Sequence, residues 1–482
     1  MNTETNYMEY QTPQYRRLSD QQLEKIYHAS LEILDRTGVL LYDDEALALM
    51  KKAGARIMDD NRVHIPPHLV EWALSRVPKQ IRICDRNGQR KMPLERNNVF
   101  FGPGSDCNFI IDHHTGERLP GSMDFVEKGI RVCDALPNID FVMSLCAPAE
   151  IKEKDTKLGN RHQMRAMLKN TTKPIIFVTM GFEAFKDVIQ MAEIVAGGAD
   201  ALSLNPNCIN YINYAHPLKH NSESLKKLLY AAEKGLPSIY CTTVDGGASG
   251  PVTPAGGFAL TNAGDLVGIT LAQLKREGAP VIPGAYHYNF SMNFNQGVIP
   301  EAPRTKGTRS ELAHFQGLPA FGLGGASGSK IVDQQATAQA ALSLITEAIS
   351  GTNIIHDVGY LGGADIYSLE MLVIGNEIIE YVKRFMQGMA VNEETLALDV
   401  IHEVGPHGTY MSHKHTMKHF RDEWYPELLD CLGYDKWVSD GKKTLAQRAG
   451  DKIDQILEEH QPEQLSAKVI KSLDEIVENA MT

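Results

Sequence analysis

Short apolar runs recur along residues 98–358, most of them preceded by Gly, Pro or Asn, and each gives way through small and polar residues to a helical pattern. The runs are Asn98 to Gly102, Phe141 to Cys146, Pro174 to Thr179, Ala201 to Asn205, Pro237 to Thr243, Pro280 to Ala285, Leu318 to Leu323 and Asn353 to Val358. Their spacing of roughly 35 residues is what a strand, a helix and two loops occupy. Alternating strands and helices imply a parallel sheet covered by helices, and eight units in about 290 residues fit an α/β fold closed into a (β/α)8 TIM barrel. Such barrels do chemistry on the loops after the strands, so the loops beginning near residues 102, 146, 179, 205, 243, 285, 323 and 356 are where a site is expected.

Helical periodicity dominates on either side. In residues 1–96, Leu23, Ile26, Tyr27, Ile33 and Leu34 fall on one helical face, a second helix is expected over Asp44 to Ala53, and a third over Pro66 to Val77 with Pro67 in its first turn. The barrel is expected over 97–390. Residues 391–482 return to helices, with a polar and aromatic stretch from Gly405 to Tyr425 and a charged C-terminal pair that should pack on the barrel.

Composition narrows the class. With 43% hydrophobic and 22% charged residues, the 482-residue chain reads as an ordinary globular protein. A formal charge of −12 without clustered Lys and Arg argues against nucleic acid and against anionic membranes. No basic start leads into an apolar stretch, and no run of about 18 apolar residues occurs, so a cytoplasmic protein is expected. The seven cysteines stand singly, which fits reduced thiols better than a disulfide framework.

Two loops carry candidate chemistry. Thr243 to Gly257, TVDGGASGPVTPAGG, holds five glycines and two prolines in 15 residues, so its backbone can approach a ligand closely; the plain alternative is a tight connector into the apolar helix Phe258 to Arg276. It is not a phosphate loop, because neither GxxxxGK[ST] nor a strand-following GxGxxG is present. Gly284 to Phe294, GAYHYNFSMNF, holds Tyr286, Tyr288, Phe290 and Phe294 around His287 in a chain that is only 7% aromatic. Phe182, Tyr211, Tyr214, Tyr360 and Tyr367 add rings at other strand ends, with Phe100 and Phe101 at the first and Tyr240 in the fifth. Aromatic faces attract a cation that cannot donate hydrogen bonds, at about 0.5–2 kcal/mol per ring, so a cage for a methylated ammonium is the sharp reading. Rings that merely pack the loops onto the terminal helices are the plain one.

Three stretches resemble a known family: Phe101 to Asp140, Gly246 to Gly284, and Gly405 to Trp437 with its HKHT and DEWYPELLDCLGYDKW. They look like the trimethylamine methyltransferase superfamily of corrinoid-dependent methyltransferases. The resemblance implies a barrel that moves a methyl group from an amine to the corrinoid (cobalamin) cobalt of a small partner corrinoid protein, with no tightly bound metal of its own. Founding members use pyrrolysine for trimethylamine. This chain has none, and the corresponding segment falls near Phe321 to Lys330. The resemblance therefore points to the non-pyrrolysine branch and to a quaternary amine: glycine betaine, giving dimethylglycine, or proline betaine, carnitine or γ-butyrobetaine. A homo-oligomer is also expected.

For such a substrate Tyr240, Tyr286, Tyr288 and Tyr360, together with Phe101, are the candidate aromatic wall. Asp245 could offset the ammonium charge, or instead form an Asx turn that caps the Gly-rich loop. His356, ending the eighth run, and His287 are the candidate donors to a substrate carboxylate. Other classes compete. Cys146, Cys208, Cys241, His216, His287 and His356 near strand ends could form a zinc site, though their spacing is unpaired. His402, His407, His413, His415 and His419 look metal-like but alternate with Lys414, Lys418 and Arg421, as a docking face would. A Schiff-base barrel would need a strand lysine, and only Lys219 and Lys330 come close; a non-catalytic betaine binder would share the cage.

Overall fold

The computed structural model describes residues 15–152, 156–288 and 305–480. Its parallel strands are β1 (Phe100–Pro103), β2 (Ile175–Val178), β3 (Cys208–Asn213), β4 (Ser238–Cys241), β5 (Thr243–Asp245), β6 (Val281–Pro283), β7 (Tyr286–Tyr288), β8 (Phe321–Leu323) and β9 (Ile354–Val358). β2, β3, β4 and β6 form one ladder, β8, β9 and β1 a second, and β5 pairs with β7 beyond the ends of β4 and β6. The run at 141–143 joins the two sheets. Val142 bridges Ile175, and the Asp140 N–H donates to the Phe101 carbonyl at 2.7 Å.

Alternation divides the side chains. Phe141, Met143, Ile176, Ile209, Ile239, Cys241, Ile282, Phe321 and Ile354 share one interior, with Phe100, Val178 and Tyr211 packed against it, so all eight strand segments contribute. Their neighbours Phe101, Tyr240 and Ile355 turn the other way, toward the helices. An antiparallel hairpin, Ile81–Cys84 with Arg90–Leu94, adds Ile81, Ile83, Met92 and Leu94 to that interior. The Cys84 N–H donates to the Pro206 carbonyl just ahead of β3, so the hairpin closes the end at which the strands begin.

The fold is α/β, but the hydrogen-bonded ring expected from the sequence is not complete. Among the described residues no ladder joins β6 to β8. Both strands are three residues long, and Pro280 and Pro283 at β6 have no N–H to give. Apolar burial bridges the gap instead: each interior side chain contributes about 1.5–3 kcal/mol, against about 1 kcal/mol for a missing ladder bond.

Two expectations are corrected. Ala201 to Asn205 is not the fourth strand, since Ala199–Leu204 is a helix that stops at Pro206, and the strand is the β-branched and aromatic segment after it. The loop beginning near 205 therefore begins after Asn213. Residues 15–96 form the expected helices at Asp20–Glu32, Asp44–Lys52 and Pro67–Arg76, but also strands, among them Val39–Leu41, which pairs in parallel with Lys219–His220.

Four longer helices matter for the site: α1 (Pro254–Lys275), α2 (Thr308–Phe315), α3 (Gln334–Ile349) and α4 (Leu369–Gln387). The short helices α5 (Glu393–Leu396), α6 (Leu398–Val404), α7 (Lys414–His419) and α8 (Tyr434–Ser439) follow. The C-terminal helices Leu445–Glu459 and Ala467–Asn479 pack back as expected: Arg131 donates to the Leu457 and His460 carbonyls, and Arg165 pairs with Asp474 at 2.9 Å. No helix among the described residues is long and apolar enough to cross a membrane.

Candidate functional site

The strands end in polar and aromatic residues where their beginnings are aliphatic. On β9 the inward position after Ile354 is His356, whose ring packs 4.2 Å from that of Phe321 and 6.0 Å from that of Tyr211 on β3. The register of β9 slips between Ile355 and Val358, and Asp357 sits at φ +90. A bulge puts consecutive side chains on one side of a strand, and a non-glycine residue at positive φ costs about 1–3 kcal/mol, a strain retained where it serves a site. Here the result is that His356 Nε2 lies 3.1 Å from Asp357 Oδ1, with both side chains buried.

His356 Nδ1 lies 2.9 Å from the Gly322 carbonyl, which can only accept, so that nitrogen carries a hydrogen. The Nε2–Asp357 contact then requires one further proton between its two acceptors. Burial holds the Asp357 carboxyl above the usual carboxylate range, opposed by His356 and Lys306, which is consistent with a proton shared at that contact. Burial also raises the Tyr211, Tyr288 and Tyr360 hydroxyls, and the Asp357 carboxylate adds to each shift, which places it close to all three rings. The rings therefore remain neutral phenols around one acidic centre.

A second polar group lies beside it. Lys306 Nζ donates to the Leu323 carbonyl at 2.5 Å, stands 3.8 Å from Glu347 and 5.8 Å from the centre of the Tyr286 ring, itself 5.3 Å from that of Tyr288. Around this buried floor Asp106, Asn213, Thr243 and Asp245 are exposed, and the apolar Met180 and Val252 stand on the rim 57% and 54% exposed.

The structure brings together only part of the predicted set. Tyr286, Tyr288, His356 and Tyr360 are buried at the strand ends, although the Tyr360 hydroxyl is engaged by the Ser105 carbonyl. Asp245 is exposed beside Tyr288; its turn is closed by its backbone carbonyl, which accepts from Ala248 and Ser249 at 3.0 Å, and not by its carboxylate. Three assignments are corrected by side-chain direction. Phe101 faces α4, with Lys383 Nζ 5.8 Å from its ring, while its neighbour Phe100 faces inward. Tyr240 stacks 4.5 Å from Tyr214, donates to His220 Nδ1 at 2.7 Å and packs on Gly268 of α1. His287 is fully buried against Gly257 with Nε2 3.0 Å from the Pro251 carbonyl, so it braces the Gly-rich loop. Phe290 and Phe294 lie outside the described residues.

The zinc set does not assemble. Among the described residues the groups placed to hold a metal are His113, His114 and Asp454, and Glu394, His415 and His419, neither of which uses the strand-end cysteines or histidines. Burial pushes Cys146, Cys208 and Cys241 up to about 12, so they are thiols and not the thiolates a zinc site needs. Lys219 and Lys330 are exposed.

Sequence reasoning missed Asp357, Lys306 and the pair Asp265–Arg309, and it left Tyr211 outside the candidate wall. The signals were faint: an Asp directly after a strand-terminal His, and one Asp inside the otherwise apolar α1. Asp265 accepts from the Ala285 N–H at 3.2 and 3.3 Å and from the Tyr214 hydroxyl at 3.0 Å, and Arg309 Nη2 pairs with it at 2.5 Å. It thereby anchors the start of the tyrosine loop.

The sequence profile of the trimethylamine methyltransferases matches residues 1–481. The chain belongs to that family. Members of the trimethylamine methyltransferase family are corrinoid-dependent methyltransferases that act with a corrinoid protein, so the strand-end site is the site of a methyltransferase. The chain is similar to a trimethylamine methyltransferase of Desulfitobacterium hafniense (strain DSM 10664 / DCB-2), 31% identical over 463 residues, 95% of this chain and 93% of that one. It is similar to the glycine betaine methyltransferase of Desulfitobacterium hafniense (strain Y51), 30% identical over 471 residues, 96% of this chain and 97% of that one. Among solved structures, the Methanosarcina barkeri monomethylamine methyltransferase superposes with a TM-score of 0.51 at 12% identity, over 94% of this chain and 89% of that one, a likeness of fold alone.

Proposed function

We propose that this family member demethylates a quaternary amine, with glycine betaine or a close relative as substrate and a small corrinoid protein as methyl acceptor. The observation that carries the reading is the Asp357–His356 pair buried beneath the Tyr211, Tyr288 and Tyr360 rings at an open strand-end mouth. Aromatic faces and one acidic group suit a cation without N–H donors. Proline betaine, carnitine and γ-butyrobetaine fit the same features.

The chemistry asks little of the protein's acids and bases. A quaternary nitrogen already carries the charge it loses: the C–N bond breaks with its electron pair staying on nitrogen, and a neutral tertiary amine departs. The partner's reduced corrinoid, when docked, supplies the nucleophile that takes the methyl group. The chain's own residues hold the ammonium, orient one N-methyl outward and exclude water. Asp357 balances the cation in place of Asp245, and His356 fixes the Asp357 carboxyl. The exposed rim at Met180, Asn213 and Val252 leaves room for a macromolecular partner to approach the mouth.

The reading takes residues 97–390 as a (β/α)8 barrel closed by packing across β6 and β8, with helical extensions of 1–96 and 391–482. Seven unpaired thiols fit a reducing, cytoplasmic setting. The test supplies the purified protein and a reduced corrinoid protein with each betaine or with trimethylamine, and quantifies the demethylated amine by mass spectrometry. Dimethylglycine from glycine betaine, or the product of a related betaine, is expected. Turnover of trimethylamine alone would overturn the reading.

A further inference from the structure

Fifteen of the twenty-five exposed large apolar residues lie between Tyr381 and Tyr434. They include Met389 and Met411, each 80% exposed, Met417 at 65% and Tyr425 at 72%. The helices in this arm, α5 to α8, bury none of their own residues. The arm is tied to the rest of the chain near Leu428, where Glu377 of α4 accepts from the Leu428 and Leu429 N–H groups at 2.9 and 3.2 Å and Trp424 meets Tyr381 edge-on at 5.8 Å.

Such an arm cannot hold its shape alone. Helices of four to seven residues are unstable in water without packing. Its internal fastening is polar and exposed: Glu394 accepts from Lys418 at 2.6 Å and pairs with His419 at 3.0 Å, and His419 also meets Asp422 at 2.8 Å. Exposed bridges of that kind contribute little. The fold of the arm therefore depends on whatever covers its apolar face.

We propose that a second copy of this chain covers it, arm against arm. Three features select that occupant over a visiting protein. At roughly 100 Å² of exposed surface each, fifteen such side chains present on the order of 1,500 Å², well above the ~800 Å² per partner of a stable interface. A surface rich in Met and aromatic residues, continuous with Tyr381 and Phe385 of α4, resembles the core of a permanent interface, and a coreless arm needs a partner that never leaves. The charges are self-complementary: α5 and α6 carry Glu393, Glu394, Asp399 and Glu403 without Lys or Arg, whereas Lys414, Lys418 and Arg421 lie on or just after α7 without an acidic neighbour among 414–421. A two-fold axis would set the acidic helices of one arm against the basic helix of the other.

The test is the mass of the full-length chain in solution, by sedimentation velocity across micromolar concentrations. A dimer or larger closed assembly is expected. Met411→Glu combined with Met417→Glu should raise the dissociation constant at least a hundredfold while leaving the far-UV spectrum of the remainder intact, because both side chains are exposed within the single chain. Leu342→Glu, at a 61% exposed site on α3, should leave the assembly unchanged. Hydrogen exchange over 389–423 should lose its protection on dilution in parallel with the mass. A monomeric wild type, or an assembly that survives the double substitution, overturns the proposal and assigns the face to another protein or to no partner.

Discussion

Arg309→Met probes the deepest charge in the molecule. Arg309 and Asp265 are joined at 2.5 Å with side-chain exposures of 2% and 1%, and Arg309 Nε and Nη1 have no other hydrogen-bond partner. Removing one member strands the other in a low-dielectric interior, which costs about 3–5 kcal/mol. Burial pushes Asp265 up to about 6 even with Arg309, Tyr214 and the loop N–H groups favouring its charge. Its native value thus exceeds the ordinary one of 3.8, and the folded protein binds the proton more tightly than the unfolded chain. The stability this group contributes is complete below about 3.8 and is lost as pH rises through about 6. Without the guanidinium the native value rises further, so the variant carries an ionised, unpaired carboxylate at pH 8 and a protonated one at pH 5. Urea midpoints at the two pH values, each against wild type, should show a loss of about 3–5 kcal/mol at pH 8 that shrinks markedly at pH 5. Asp265→Asn added to Arg309→Met should recover most of it. Because Asp265 accepts from the Ala285 N–H just before Tyr286, the single variant should also raise the KM for the amine. An equal loss at both pH values, or no recovery in the double variant, refutes the reasoning.

Asp357→Asn keeps a residue type that tolerates positive φ but removes the carboxylate; by calorimetry it should weaken a quaternary ammonium ligand roughly tenfold to a hundredfold, about 1.5–3 kcal/mol. In wild type, burial raises the Asp357 carboxyl, and a cation favours its ionised form, so affinity should increase with pH until that group has lost its proton; a flat profile would contradict the assignment. Tyr288→Leu should weaken the same ligand by about 1–2 kcal/mol, whereas Tyr240→Phe should lower stability by about 1 kcal/mol through its lost His220 bond and leave affinity unchanged. Gly268→Ala would drive a methyl into the Tyr240 ring and should cost about 1–3 kcal/mol of unfolding free energy without altering ligand affinity in the folded fraction.

What the sequence determined by itself was the sequence of strands and helices, the end of the sheet that bears the site, and the family. Those depend on local and periodic information: apolar runs bounded by Gly, Pro and Asn, a helical repeat between them, and three stretches specific enough to be recognised. The displaced fourth strand shows the limit, because Ala201 to Asn205 and Cys208–Asn213 are both short and apolar, and burial of Ile209 with the other strands chose between them. Which residues form the site was decided by tertiary structure. A strand side chain points inward or outward according to parity, so Phe101, Tyr240 and His287 brace the helices and the loop while Phe100, Cys241 and Tyr288 face the interior. Asp357 escapes that rule only because β9 slips register beside it, and Lys306 and Arg309 acquire their partners from segments distant in sequence. Parity, bulges and long-range charge pairs are properties of chain segments already placed against one another, and no local pattern encodes them.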